Sequence, residues 1–307
     1  MTNLHLSDDI IDVGSMKADG IGPGQIIRRR SDGSFEYQHD ELTIEEPLEI
    51  RTREKTVATT MRTPGHDEEL AAGFLVTEAI IRNRDQIKKF SRPKTARNRN
   101  NIIELQLGPS PQSSPSRRGS NASPARTEAA VEGISNFAVR LGPISSSCGL
   151  CGKESIDAIR QNFPAIKSND FRIEIAMLLA MPDKLRANQS DFARTGGIHA
   201  AGIFDANGKA LIVREDIGRH NAVDKVIGRA FLDGRLPLDR HLLLVSGRAS
   251  FEIMQKALAA GIPIVASVSA PSSLAMEFAR ESNQTLIGFL RPPSFNIYAH
   301  VERVILD

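Results

Sequence analysis

The sequence predicts an α/β protein: a mostly parallel sheet covered on both faces, plus a smaller β-rich portion from the N-terminal part. Three observations carry this. "HLLLVSG" (241–247) and "IPIVASVSA" (262–270) are continuous apolar runs of the kind strands show when both faces are buried. They alternate with "RASFEIMQKALAAG" (248–261) and "PSSLAMEFARESN" (271–283), which have helical spacing. Residues 41–63, by contrast, alternate apolar and polar side chains and are rich in Thr, Ile and Val, the pattern of half-buried antiparallel strands.

The totals narrow the class. The chain has 307 residues, 40% hydrophobic and 25% charged, enough for one large domain or two ordinary ones. Its 39 basic and 37 acidic side chains leave a net charge of +2, so no whole-chain field points to nucleic acid or a membrane surface. No apolar run approaches the ~20 residues of a membrane span. The N-terminus lacks a basic stretch followed by an apolar core. Two cysteines are too few for a disulfide framework. The expectation is a soluble cytoplasmic protein without a nucleic-acid or membrane partner.

Residues 1–25 lack sustained periodicity and are expected to form a disordered tail. A smaller β-rich domain with one helix follows over 26–140. Its helix is signalled by "TPGHDEELAAGFLVTEAII" (63–81), which opens with Pro and acids and repeats Leu70, Phe74, Thr77 and Ile81 along one face. Within this domain, residues 92–130 are expected to be a disordered insertion. "PQSSPSRRGSNASPAR" (111–126) holds five Ser and three Pro and buries too little to offset its ordering entropy. Residues 141–155 are expected to be a mobile loop, and 156–307 the α/β domain. There, "GIHAAGIFDANGKALIVRED" (197–216) reads as two strands joined at Asn207-Gly208, a pair that tolerates positive φ. "GRHNAVDKVIGRAFLDG" (218–234) reads as a helix with Val223, Ile227, Ala230 and Phe231 on one face. "QTLIGFL" (284–290) reads as a further strand.

Chemistry concentrates in a few stretches. "SSSCGLCGKES" (145–155) holds both cysteines, Cys148 and Cys151, between glycines that keep the backbone approachable. A helix start and Lys153 nearby favour thiolate, the nucleophilic form. With only two cysteines, a Cys₄ zinc site within one chain is impossible, and Cys₂His₂ would need distant histidines. Sulfur chemistry remains: a thiolate that takes and gives a sulfur atom or a disulfide. "REDIGRHNAVDK" (214–225) places Asp216, Arg219 and His220 at a strand-to-helix turn, where a cation and free N–H groups suit a phosphate. His199 lies on a strand between small residues. Arg248, in "VSGRAS" (245–250), sits between a strand and a helix, the geometry of an anion site. "GFLRPPSFNIY" (288–298) is a rigid basic strand-end loop whose Phe289 and Phe295 suit nucleotide stacking. There is no Walker A loop and no GxGxxG fingerprint.

Taken together, "TPGHDEELAAGFLVTEAII", "SCGLCG", "GGIHAAGIF", "EDIGRHNAVDKVIGRA", "VSGRASFEIMQKALAAGIPIVASVSAPSSLAMEFA" and "TLIGFLRPPSFNIY" resemble the FdhD family of sulfur-carrier accessory proteins required for formate dehydrogenase activity. The resemblance covers about residues 40–90 and 134–305 and leaves out the tail and the Ser/Pro/Arg-rich insertion. It implies a cytidine deaminase-like three-layer larger domain, yet the deaminase zinc signature, H-x-E with a later P-C-x-x-C, is absent. It also implies a sulfurtransferase. Persulfide sulfur arrives from a cysteine desulfurase on Cys148, with Cys151 as the second cysteine of the motif. It then passes to molybdenum or tungsten in bis(molybdopterin guanine dinucleotide), bound as substrate, with no tightly held metal of the protein's own. The family's cofactor-binding stretch corresponds to Phe289, Leu290, Arg291, Pro292, Pro293 and Ser294. His199, Asp216, Arg219, His220 and Arg248 correspond to positions near that pocket. The implied partners are the desulfurase, a formate dehydrogenase client, the guanine nucleotide part of the cofactor, and a second copy in a homodimer. A thiol-redox protein and a non-catalytic cofactor-binding chaperone are the alternatives.

Overall fold

The computed structural model describes residues 20–52, 55–95, 99–108, 144–145, 162–167 and 170–306. Cys148 and Cys151, most of the expected tail and residues 109–130 of the expected insertion lie outside the described residues.

The architecture is mixed α/β, with several sheets and six α-helices among the described residues. The largest sheet has six strands in the order β10-β9-β11-β12-β13-β14. These are β9 (His199–Phe204), β10 (Ala210–Asp216), β11 (Leu242–Val245), β12 (Ile264–Ser267), β13 (Thr285–Arg291) and β14 (Ser294–Ala299). The sheet is less parallel than expected. Only β11–β12 and β12–β13 pair in parallel, while β10–β9, β9–β11 and β13–β14 are antiparallel. The cause is loop length. A short turn closes a hairpin but not a crossover, so the connection through Asn207-Gly208 makes β9 and β10 antiparallel. The same holds for Pro292-Pro293 between β13 and β14. It follows from these pairings that β10, β11, β12 and β13 all point one way. Their carboxyl ends share one edge with the first residues of β9 and β14.

Both faces of this sheet are covered. On one, Leu178, Met181 and Leu185 of α2 (Ile175–Ala187) pack with Ala200, Phe204, Leu242, Leu244, Ile264 and Ala266. On the other lie α4 (Arg219–Leu232), α5 (Phe251–Ala259) and α6 (Ser273–Glu281), over Ala201, Ile203, Leu243, Val245 and Val265. Alternate strand residues thus feed two cores, and each fully buried aliphatic side chain contributes about 2 kcal/mol. Between α2 and β9 lies the short α3 (Ser190–Thr195).

A five-stranded sheet, in the order β5-β6-β3-β4-β7, forms the smaller part. Its strands are β3 (Glu46–Thr52), β4 (Lys55–Arg62), β5 (Ile87–Ser91), β6 (Ile102–Leu107) and β7 (Ile144–Ser145). Strand β6 falls inside the segment expected to be a disordered insertion. Ile102, Ile103 and Leu105 are buried, and β6 lies between β3 and β5. Likewise β1 (Ile21–Arg29), paired with β2 (Phe35–Thr43), begins before the expected end of the tail. Helix α1 (Asp67–Thr77) packs Leu70, Ala71, Leu75 and Val76 against Leu48, Ile50, Ile103 and Leu105.

Helix α1 joins the two parts by crossing α4 at backbone contact. A Cβ on Gly73 would lie 1.9 Å from the Asp224 carbonyl oxygen, and one on Gly228 1.8 Å from that of Glu69. Two glycines therefore set how closely these helices approach. The remaining strands, β8 (Ile173–Glu174) and β15 (Val304–Ile305), pair in parallel.

Candidate functional site

The shared edge gathers most of the described site residues. His199 opens β9, Asp216 ends β10, Arg219 and His220 open α4, Arg248 follows β11, and residues 289–294 join β13 to β14.

Asp216 is fully buried. Its carboxylate accepts the N–H of Gly218 at 2.8 Å, Nδ2 of Asn221 at 2.9 Å and the N–H of Thr63 at 3.3 Å, and pairs with Lys225 Nζ at 2.7 Å. A carboxylate so occupied shapes the turn ahead of α4. Asn221 extends the anchorage, with Nδ2 donating to the Met61 carbonyl (2.7 Å) and Oδ1 accepting from the Thr60 hydroxyl (3.1 Å). The first turn of α4 is thereby fastened to β4.

No side chain caps the start of α4. The first-turn N–H groups accordingly keep their partial positive charge for an anion. Arg219 stands there with a buried Nε that has no hydrogen-bond partner among the described residues. His220 Nε2 lies 2.8 Å from Glu252 Oε2 and 3.3 Å from Ser250 Oγ. His199 packs beside Gly247, where a Cβ would come within 3.2 Å of Nδ1. Burial, then the neighbouring charges of Arg219 and His220, hold the His199 imidazole below its ordinary pKa, against the opposite pull of Asp216. At neutral pH it is uncharged.

The β11 and β12 loops are tied together. The Ser267 hydroxyl donates to the Gly247 carbonyl (2.6 Å), and Ala249 bridges to Pro271. Arg248 is exposed on this rim. At the end of β13, Phe289 adopts φ 51°, a left-handed conformation unusual for an aromatic residue, with its N–H bound to the Ser269 carbonyl at 3.0 Å. The residue is 43% exposed. The Arg291 guanidinium donates Nε to the Val268 carbonyl at 3.0 Å while its side chain stays exposed, as do Pro292, Pro293 and Ser294. Leu290 is the exception. It is wholly buried in the α2 core, so its side chain has no access to a ligand.

Glu252, Ser250 and Lys225 complete the cluster and were not among the expected site residues. The available signal for Glu252 was an acid in the first turn of the helix after "VSG". Its pairing across to α4 is a tertiary fact. A polar cavity of about 260 Å³, bordered by Thr63, His66, Asp191, Arg214, Glu215 and Lys225, lies along β10. It meets this edge at Thr63 and Lys225, both bound to Asp216.

Three comparisons bear on this geometry. A model of the FdhD/NarQ family matches residues 43–305. The chain is 45% identical over 288 residues to the sulfur carrier protein FdhD of Streptomyces avermitilis, covering 92% of this chain and 95% of that one. It is 38% identical over 293 residues to the sulfur carrier protein FdhD of Thermoplasma volcanium, covering 94% and 97%. A crystal structure assigned to a formate dehydrogenase accessory protein of Desulfotalea psychrophila superposes with a TM-score of 0.68. That match spans 93% of this chain and 99% of that one, at 22% identity, and supports the fold. The chain belongs to the FdhD/NarQ family.

Proposed function

We propose that this protein is a sulfur carrier: Cys148 accepts persulfide sulfur from a cysteine desulfurase. It then delivers the sulfur to the metal of bis(molybdopterin guanine dinucleotide), serving a formate dehydrogenase. The observation that carries this reading is the assembly on one sheet edge of an uncapped helix start, Arg219, His220, His199, Arg291 and the exposed Phe289 ring. Cations and open N–H groups suit phosphates, and an exposed aromatic ring suits a nucleobase.

A second observation supports it. Strand β7 runs parallel to β4, with Ser145 opposite Thr59, and the next β4 residue, Thr60, bonds Asn221 in the first turn of α4. Cys148 follows Ser145 by three residues, a span of at most about 11 Å of chain. A carrier thiol within reach of the nucleotide site would make transfer effectively intramolecular. The deaminase-like layering implied by the family belongs to the same reading, supported by helices on both faces of the sheet. So do a homodimer and a cytoplasmic location. Among the described residues no helix is long and apolar enough to cross a membrane.

In the transfer, the Cys148 thiolate attacks the outer sulfur of the donor persulfide and the donor thiolate leaves. Intact-protein mass after incubation with a cysteine desulfurase and cysteine tests this step. A gain of about 32 Da, labile to reductant and absent in Cys148→Ala, is expected. A loss of about 2 Da on oxidation, with no gain, would instead mark a thiol-redox protein. Full client activation by Cys148→Ala would mark a chaperone.

A further inference from the structure

We propose that the cavity along β10 binds a small α-amino acid as its zwitterion, with the ammonium between Asp191 and Glu215 and the carboxylate on the sheet edge beside Arg214. The inference does not draw on the sulfur-carrier reading and assigns a ligand to residues that reading leaves unused.

The cavity lies at a free edge of the six-stranded sheet. Among the described residues β10 is an outermost strand, paired with β9 alone. On β9, Ala200 turns its main chain toward β11, where its carbonyl accepts the Ser246 N–H at 2.9 Å. Main-chain groups alternate sides along a strand, so His199 and Ala201 face β10 and pair with Asp216 and Arg214. Val213 and Glu215 therefore point outward. Their carbonyls are occupied, by Arg214 Nη1 at 2.8 Å and by Lys225 Nζ at 3.2 Å. Their N–H groups have no hydrogen-bond partner among the described residues, and both residues border the cavity of about 260 Å³. Half-buried main-chain donors of this kind call for an acceptor from outside.

The lining sorts its charges. Toward α1, the Arg214 guanidinium gives Nε and Nη2 to Glu69 at 2.6 and 2.8 Å and Nη1 to the Val213 carbonyl. One N–H on each terminal nitrogen is left over. Toward α3, the Glu215 carboxylate accepts the N–H groups of Asp191 and Phe192, both at 2.9 Å, which brings two acids to the same wall. The half-buried Asp191 carboxylate accepts the Ser190 hydroxyl at 3.4 Å and has no other hydrogen-bond partner among the described residues. Burial lifts the Glu215 carboxyl above its ordinary range, against its two N–H bonds, and the charge of Asp191 pushes the same way. A cation set between these acids relieves both.

This pattern selects the ligand class. A lone anion would meet two carboxylates, and a lone amine would leave the edge N–H groups unmet. A zwitterion brings both partners on one carbon atom. The volume sits just below the about 300–1,000 Å³ of pockets for drug-sized molecules, so an amino acid fits. Among the described residues no group of three or more His, Cys, Asp and Glu side chains is placed to hold a metal ion, which favours an organic cation here. Thr63 and Lys225 reach from this cavity to Asp216, so a ligand bound here also tightens the turn ahead of α4.

The test is thermal unfolding of the full chain with each proteinogenic amino acid at about 10 mM, followed by calorimetric titration of those that raise the midpoint. At least one is expected to raise it. Its amide, which lacks the carboxylate, and its N-acetyl form, which lacks the ammonium, should each bind at least about tenfold more weakly. Asp191→Asn should weaken binding by about as much, yet melt with wild type in the absence of ligand, because that carboxylate makes one long hydrogen bond. Phe289→Gly, altered at the nucleotide edge, should bind the amino acid as wild type does. No shift with any amino acid, equal binding of either blocked form, undiminished binding by Asp191→Asn, or lost binding in Phe289→Gly would each overturn the site. None of these outcomes involves Cys148, so the carrier reading stands or falls on its own mass experiment.

Discussion

Asp216 and Lys225 face each other at 2.7 Å with side chains 0% and 1% exposed, one at the end of β10 and the other one and a half turns into α4. Lys225 spends its other donors on the carbonyls of Thr63 (3.1 Å) and Glu215 (3.2 Å). This pair holds the site's rim at the angle at which α4 leaves the sheet. Asp216→Ala strands a buried cation and frees the N–H groups of Thr63 and Gly218, so a loss of about 4 kcal/mol is expected in denaturant unfolding. Adding Lys225→Met should recover part of it. The unmet N–H groups keep the recovery incomplete.

The α1–α4 crossing has no room for a methyl group. Gly228→Ala should lower stability by about 3 kcal/mol, because the Glu69 carbonyl is backbone and cannot rotate aside. Gly234→Ala makes a useful contrast. Its φ of 70° is strained for alanine, but nothing lies near its Cβ, so about 1 kcal/mol is expected. Paired unfolding curves distinguish collision from backbone strain.

Acid should weaken the same junction. Burial raises the pKa of Glu69, but bonds from His66 and Arg214 outweigh it and bring the carboxyl from 4.5 to about 2. A folded-state value below the unfolded one stabilises the protein above pH 4.5, and that contribution is lost as pH falls toward 2. About 2 kcal/mol should disappear over that window. Glu69→Gln should be weaker than wild type at pH 7 and show a shallower acid decline. Unfolding curves from pH 7 to pH 2.5 would reveal both.

Phe289 separates stability from binding. Glycine adopts its backbone conformation without the ~1 kcal/mol cost borne by an L side chain, so Phe289→Gly should melt no lower than wild type. Losing the exposed ring should weaken guanosine diphosphate binding about tenfold, read as a smaller thermal shift. A wild-type shift in the variant would remove Phe289 from the site.

Much of this protein is written locally. The runs 242–245 and 264–267, the helix faces of 219–232 and 251–259, and the Gly261 C-cap at φ 75° follow from periodicity and turn chemistry within short windows. The chemical types were equally visible: Arg219, His220, Phe289 and Arg291 stand at strand ends that the pattern places on loops. Other features were decided by partners distant in sequence. "IIELQL" is too short to signal its own burial, and becomes a strand because β3 and β5 accept it on either side. The polar β1–β2 hairpin carries almost no apolar alternation and is set by pairing alone. Strand direction, which side chain of "GFLRPP" turns inward, and the meeting of Glu252 with His220 depend on register and on how α4 crosses α1. One residue of slip reverses a strand's faces, and a single methyl at Gly73 or Gly228 moves a helix, so these choices exist only once the whole core has packed.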